Sequence, residues 1–151
     1  MHTLATIGYE GTTVPEFLET LTAARIELLV DVRAVAMSRR PGFAKSALTA
    51  NLRTVDIDYL HLRRLGTPAD GRAAARSGRH AEMRRIFLAH LATEDAQAEL
   101  HALADIIQSG RRVCILCFEA DPAHCHRRLV ANALSEVMKL EVTDLRPSIE
   151  D

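Results

Sequence analysis

Residues 26–32, Ile-Glu-Leu-Leu-Val-Asp-Val, decide the fold. A run this short and this apolar reads as a strand covered on both faces, the kind a parallel sheet carries between two helical layers. Val113–Phe118 (VCILCF) repeats the pattern. Leu4–Gly8 (LATIG) is short and β-prone and ends in a glycine turn, Asp58–Leu62 (DYLHL) alternates, and Glu141–Leu145 is a fifth candidate. Helical signals lie between these runs. One starts at Thr13, with Pro15 in the first turn and Glu16 at the positive end. Ser46–Thr54, Ala81–Leu91 and Asp95–Gln108 follow with apolar residues at helical spacing, and Gly110 closes the last. A further helix opens at His124 or Cys125 and runs through Met138, with Leu129, Ala133, Leu134 and Val137 inward. Gly66–Gly78 holds glycines, a proline and little apolar content, so it reads as a mobile loop.

The order β-α-β-α-β-α-α-β-α-β predicts an α/β fold. The expectation is one domain over 1–151: a Rossmann-like three-layer sandwich with a mostly parallel sheet of about five strands. Ligands of such sheets bind beyond the carboxyl ends of the strands. That directs the search to Gly8–Gly11, Asp31–Arg40, Tyr59–Gly66 and Cys117–Arg127.

Composition narrows the function classes. The chain has 151 residues, 48% apolar and 26% charged, with a formal net charge of −1. These are globular values, not those of a disordered tail. No run approaches the roughly 20 apolar residues of a membrane helix, and the N-terminus lacks the features of a signal peptide. Three cysteines without an export signal do not read as a disulfide framework, so a cytoplasmic protein with no membrane partner is expected. The small net charge hides an asymmetry. From Arg33 to Arg85 twelve basic residues face four acidic ones, and the remainder carries seven against sixteen. A basic face is therefore expected. Aromatic residues make up only 4%, which argues against a base-stacking platform.

Two constellations carry chemistry. The first is CFEADPAHCHRR, residues 117–128, between a buried strand and a helix. Backbone N–H groups at a helix start favour an anion, and the same field with nearby Arg lowers a thiol pKa. Cys117 or Cys125 is the candidate nucleophile and His126 the base, with Glu119 or Asp31 orienting it. Arg127 adds an anion-binding guanidinium. The second is DVRAVAMSRRPGF, residues 31–43, in which Asp31, Arg33, Ser38 and Arg39 leave a strand end. Arg33 and Arg39 suit phosphate. Gly8 lets a backbone approach a ligand, Tyr9 offers a ring to stack on, and His61 points to the same rim or into the core. Each group also has a purely structural reading, with Cys117 as a small buried apolar residue and Arg33 paired to Asp31.

The chain resembles the domain of unknown function 488 family. The likeness runs through TIGYEG, ELLVDVRAVAMSRRPGF and YLHLRRLG to LCFEADPAHCHRRLVANAL, nearly the whole length. The closing string is the most specific part: a cysteine, a glutamate two residues on, a proline, then Cys-His-Arg. Ala36 stands near where the family usually has a proline, and Gly66-Thr67-Pro68 where it tends to have Gly-Gly. The resemblance implies a compact α/β fold in a cytoplasmic setting, without a settled activity. Its motif positions here include Gly8, Asp31, Arg33, Ser38, Arg39, Phe43, His61, Gly66, Cys117, Glu119, Pro122, Cys125, His126 and Arg127. A looser similarity of layout is to rhodanese-type domains, although their compact cysteine-to-arginine loop is missing.

Three functions remain open on these residues. One is a cysteine-dependent hydrolase or transferase acting on a phosphate-bearing or nucleic-acid-derived substrate. Another is a non-catalytic nucleic-acid-binding module built on the basic middle segment. The third is a zinc site on Cys117, Cys125 and His126. Cys114 is not expected to join it, since residues three apart on a strand face opposite sides. No cofactor is implied, and assembly into a homo-oligomer stays open.

Overall fold

In the computed structural model, which describes residues 1–147, five strands form one sheet in the order β3-β2-β4-β1-β5. Positions 148–151, the end of the expected domain, lie outside the described residues. The strands are β1 (His2–Gly8), β2 (Leu28–Asp31), β3 (Asp58–His61), β4 (Val113–Cys117) and β5 (Leu140–Leu145). Every pairing is parallel, so the expected mostly parallel sheet is parallel throughout. Its helices are α1 (Val14–Ala23), α2 (Lys45–Arg53), α3 (Ala69–Arg76), α4 (His80–Leu91), α5 (Glu94–Gln108) and α6 (His126–Val137). No helix among the described residues is long and apolar enough to cross a membrane.

Strand alternation divides the core into two layers. Leu28, Val30, Val32, Val113, Ile115 and Cys117 face α3 to α6. Leu29, Cys114, Leu116, Ala5 and Ile7 face α1 and α2. Cys114 and Cys117 therefore lie on opposite faces, as their spacing requires. Helix α1 is capped by Thr13, whose hydroxyl accepts from the Glu16 N–H, and α5 is capped in the same way by Thr93.

Two sequence expectations are corrected. The Gly66–Gly78 segment is not a loop throughout, because α3 occupies Ala69–Arg76. Gly71 is a packing residue here: a Cβ on it would press into Thr67, and Ile86 of α4 lies close behind. Small Ala74 fills the buried side, so the helix needs no large apolar stripe. The α6 phase also differs. Val130, Ala131 and Leu134 are buried, while Val137 is 55% exposed, because the first turn is turned inward by buried His126 and Arg127.

The topology places the site. Strand β4 lies between β1 and β2. The chain leaves β1 and β2 toward the α1/α2 face, and leaves β4 toward the α6 face. Connections that part to opposite faces open a crevice at the carboxyl ends.

Candidate functional site

A cavity of about 510 Å³ opens in that crevice, lined by residues from the ends of β1, β2 and β4 and from α3, α4 and α6. Among the sequence candidates, Tyr9, Arg33, Cys117, Glu119 and His126 line it. Gly8, Asp31, Ser38, Arg39, His61, Cys125 and Arg127 do not, and several of these act behind its wall.

Cys117 ends β4 with its side chain on the α6 face. Arg127, one helical position into α6, reaches under it and is fully buried. Its Nη1 donates to Cys117 Sγ at 3.3 Å and to the Glu119 carbonyl. Nη2 donates to the Ala120 carbonyl at 3.2 Å, and Nε to the Thr6 hydroxyl at 3.2 Å. Thr6 in turn donates to Asp144 Oδ1 at 2.6 Å. Burial lowers the Arg127 pKa, while Asp144 and nearby groups raise it. No carboxylate pairs directly with Arg127 among the described residues. A buried cation without a direct partner makes an anion beside it favourable, and in the reduced protein the Cys117 thiol is the ionisable group it touches.

Cys125 is the N-cap of α6, and its sulfur is joined to that of Cys117 in a disulfide, which corrects the expectation of unpaired thiols. The fold brings the end of β4 against the start of α6, and both sulfurs are free only in the reduced protein. His126 follows with a buried ring whose Nε2 lies 2.7 Å from the Val32 carbonyl. A carbonyl only accepts, so Nε2 carries the proton and Nδ1 is bare in the neutral ring. Nδ1 stands 3.8 Å from Cys125 Sγ. The expectation that Glu119 or Asp31 orients His126 is therefore replaced by the Val32 backbone. Burial pushes the His126 pKa down to about 4, with the Arg127 charge adding to this and the Val32 hydrogen bond opposing it. Glu119 Oε2 lies 3.7 Å from Cys117 Sγ, and burial raises its pKa against the lowering influence of Arg127. Cys114 is a buried free thiol on the far face, and burial pushes its pKa well up.

The His126 shift has a sign that can be checked. In the unfolded chain the ring titrates near 6.5, so between pH 6.5 and 4 only the unfolded state takes up the proton. Above pH 6.5 the ring contributes no slope. As pH falls through the window the native state loses up to about 3 kcal/mol from this group. In urea unfolding of chelator-treated protein, the stability gap between wild type and His126→Asn is expected to narrow from pH 7 to pH 4.5.

Asp31 and Arg33 form a separate network on the other face. Arg33 Nε and Nη2 donate to the two Asp31 carboxylate oxygens at 2.9 and 2.7 Å. Tyr59 Oη donates to Asp31 Oδ2 at 2.6 Å. Arg33 Nη1 donates to the Phe43 carbonyl at 2.8 Å and to Tyr9 Oη at 3.2 Å. Burial opposes the Arg33 charge, but the Asp31 hydrogen bonds and charge outweigh it and raise its pKa. Burial, then the Asp31 contact, raises that of Tyr59. His61 Nε2 holds the Arg33 carbonyl at 2.7 Å. Tyr9 is buried, stacked on Phe43 at 4.7 Å. Gly8 is required by the loop above it, since a Cβ there would overlap the Glu119 carbonyl. Ser38 accepts from the Arg40 N–H within its own turn, and Arg39 is exposed away from the cavity.

The structure adds Arg72 and Arg76 of α3 to the cavity wall, with Met37, Phe118 and His124 at its lining. Neither arginine forms an ion pair among the described residues. Their i, i+4 spacing in the sequence is the signal that they share one helical face. Curated proteins and solved structures offer no match to the chain. The family model described as Domain of unknown function DUF488 matches residues 13–134, from the cap of α1 to the last buried leucine of α6, and the chain belongs to that family.

Proposed function

We propose that the protein is an enzyme acting on an anionic substrate, phosphate-bearing or derived from nucleic acid, with Cys117 as a thiolate nucleophile. The observation that carries this reading is Arg127. A fully buried guanidinium donates to the sulfur at the floor of an open cavity. Arg72 and Arg76 on the cavity wall attract the anion. Glu119, whose pKa burial raises, lies 3.7 Å from the sulfur and is the carboxyl placed to serve a leaving group there as general acid. Neutral His126 keeps a proton acceptor at Nδ1 for a later water.

Alkylation of reduced, chelator-treated protein at pH 7 tests this. Iodoacetamide is expected to label Cys117 about tenfold faster than an unperturbed thiol, which is only a few per cent ionised at that pH. Inorganic phosphate or a nucleoside monophosphate is expected to slow the labelling, and Arg76→Ala to weaken that protection. Peptide mapping assigns the label. Labelling of Cys117 no faster than an ordinary thiol, or indifferent to both anions, overturns the reading.

A further inference from the structure

The structure assigns a second capacity to the same corner: a site for one soft divalent cation of the zinc class on Cys117 Sγ, Cys125 Sγ and His126 Nδ1. These three atoms lie within 4.8 Å of one another, and all three residues are buried. A tetrahedral zinc with bonds of about 2.3 Å to sulfur and 2.0–2.1 Å to nitrogen needs its ligands gathered on this scale. The Cα atoms of Cys117 and Cys125 are 7.3 Å apart. That exceeds the roughly 4.4–6.8 Å usual for a disulfide, so once the protein is reduced the two sulfurs are free to part around an ion.

The surroundings match what a metal site requires beyond its ligands. The hydrogen bond from His126 Nε2–H to the Val32 carbonyl fixes the ring and leaves Nδ1 free to ligate. Arg127 Nη1 donates to Cys117 Sγ and stabilises it as a thiolate ligand. Two thiolates balance the charge of a divalent ion, and two sulfurs with one imidazole favour zinc over magnesium or calcium. The ligands come from the end of β4 and the start of α6, two elements that the core holds together. Cys117 and His126 both reach the cavity, so the fourth position opens to it, with Glu119 Oε2 3.7 Å from Cys117 Sγ. Three protein ligands and one open position are the arrangement of a reactive zinc site rather than a closed structural one.

This inference shares Cys117 with the proposed nucleophile but does not rest on that reading. A sulfur that ligates a metal is withdrawn from alkylation, so the loaded and metal-free forms differ in what Cys117 can do. Cobalt(II) serves as the probe, added to reduced, chelator-treated full-length protein. One equivalent is expected to give the near-ultraviolet thiolate-to-cobalt band and the visible bands of a tetrahedral site, and zinc to displace it. Cys125→Ser is expected to weaken cobalt binding about tenfold or more. Cys114→Ser, on the far face, is expected to leave it unchanged. Absence of the thiolate band at one equivalent, or a band untouched by Cys125→Ser, overturns the metal site. The two readings fail separately. Fast labelling of Cys117 without cobalt binding removes the metal site alone. Cobalt bound through this trio, with slow labelling of the stripped protein, removes the nucleophile alone.

Discussion

Arg127→Ala is expected to lower the unfolding free energy by about 3–5 kcal/mol. It is also expected to slow Cys117 alkylation at pH 7 about tenfold. The side chain is fully buried, and its truncation leaves a void under β1 and β4. The larger part of the loss is polar. The carbonyls of Glu119 and Ala120 and the Thr6 hydroxyl lose donors that no neighbouring group replaces. The loop from Phe118 to Asp121 is then free to lift from Gly8, where it now lies in close contact. Lysine keeps the charge but cannot donate in three directions from a planar fork. Arg127→Lys is therefore expected to recover part of the stability and little of the thiol reactivity. Denaturant midpoints read the first effect, and labelling rates at pH 7 the second. A wild-type midpoint for Arg127→Ala would show that the buried guanidinium is not a structural hub.

Asp31→Asn is expected to cost about 3–5 kcal/mol in the same measurement. The carboxylate is fully buried and accepts from two nitrogens of the Arg33 side chain, the Arg33 N–H and the Tyr59 hydroxyl. An amide offers one oxygen and carries no charge, so Arg33, only 7% exposed, is left as a buried cation without its partner. The damage spreads through Arg33 to the Phe43 carbonyl and the Tyr9 hydroxyl, which hold the loop after β2. A double variant, Asp31→Asn with Arg33→Met, removes both charges and is expected to lose less than the sum of the two single changes. A double-mutant cycle by urea unfolding checks this. Additive losses would show that the pair is not coupled. The Cys117 labelling rate in Asp31→Asn is expected to change less than in Arg127→Ala, because the two networks occupy opposite faces of the sheet.

The extent of each network was only partly legible in sequence. The strands were readable because a sheet covered on both sides demands short apolar runs, and IELLVDV and VCILCF satisfy that locally. The separation of Cys114 from Cys117 followed from strand alternation alone. Helix α3 was hidden because its glycine serves a helix–helix contact with Ile86, fifteen positions away, and no local rule distinguishes that from a turn. Arg72 and Arg76 were overlooked with it. The inward turn of His126 and Arg127 was equally hidden, since polar residues facing a core violate the amphipathic pattern used to phase a helix.

Sequence by itself determined the α/β order, the two chemical strings and their place at strand ends, because these depend on local patterning and on connection rules. The tertiary structure decided which groups meet. It tied Asp31 and Arg33 into a hydrogen-bond network of their own, with Arg33 still reaching the cavity that Cys117 lines, and joined Cys117, Cys125, His126 and Arg127 into one cluster. The physical reason is the parallel sheet with β4 between β1 and β2. It brings residues distant in the chain to one edge, while strand pleating sends neighbouring side chains to opposite sides. Burial then gives those meetings their chemical weight, because a charge removed from water must find its partner within the fold.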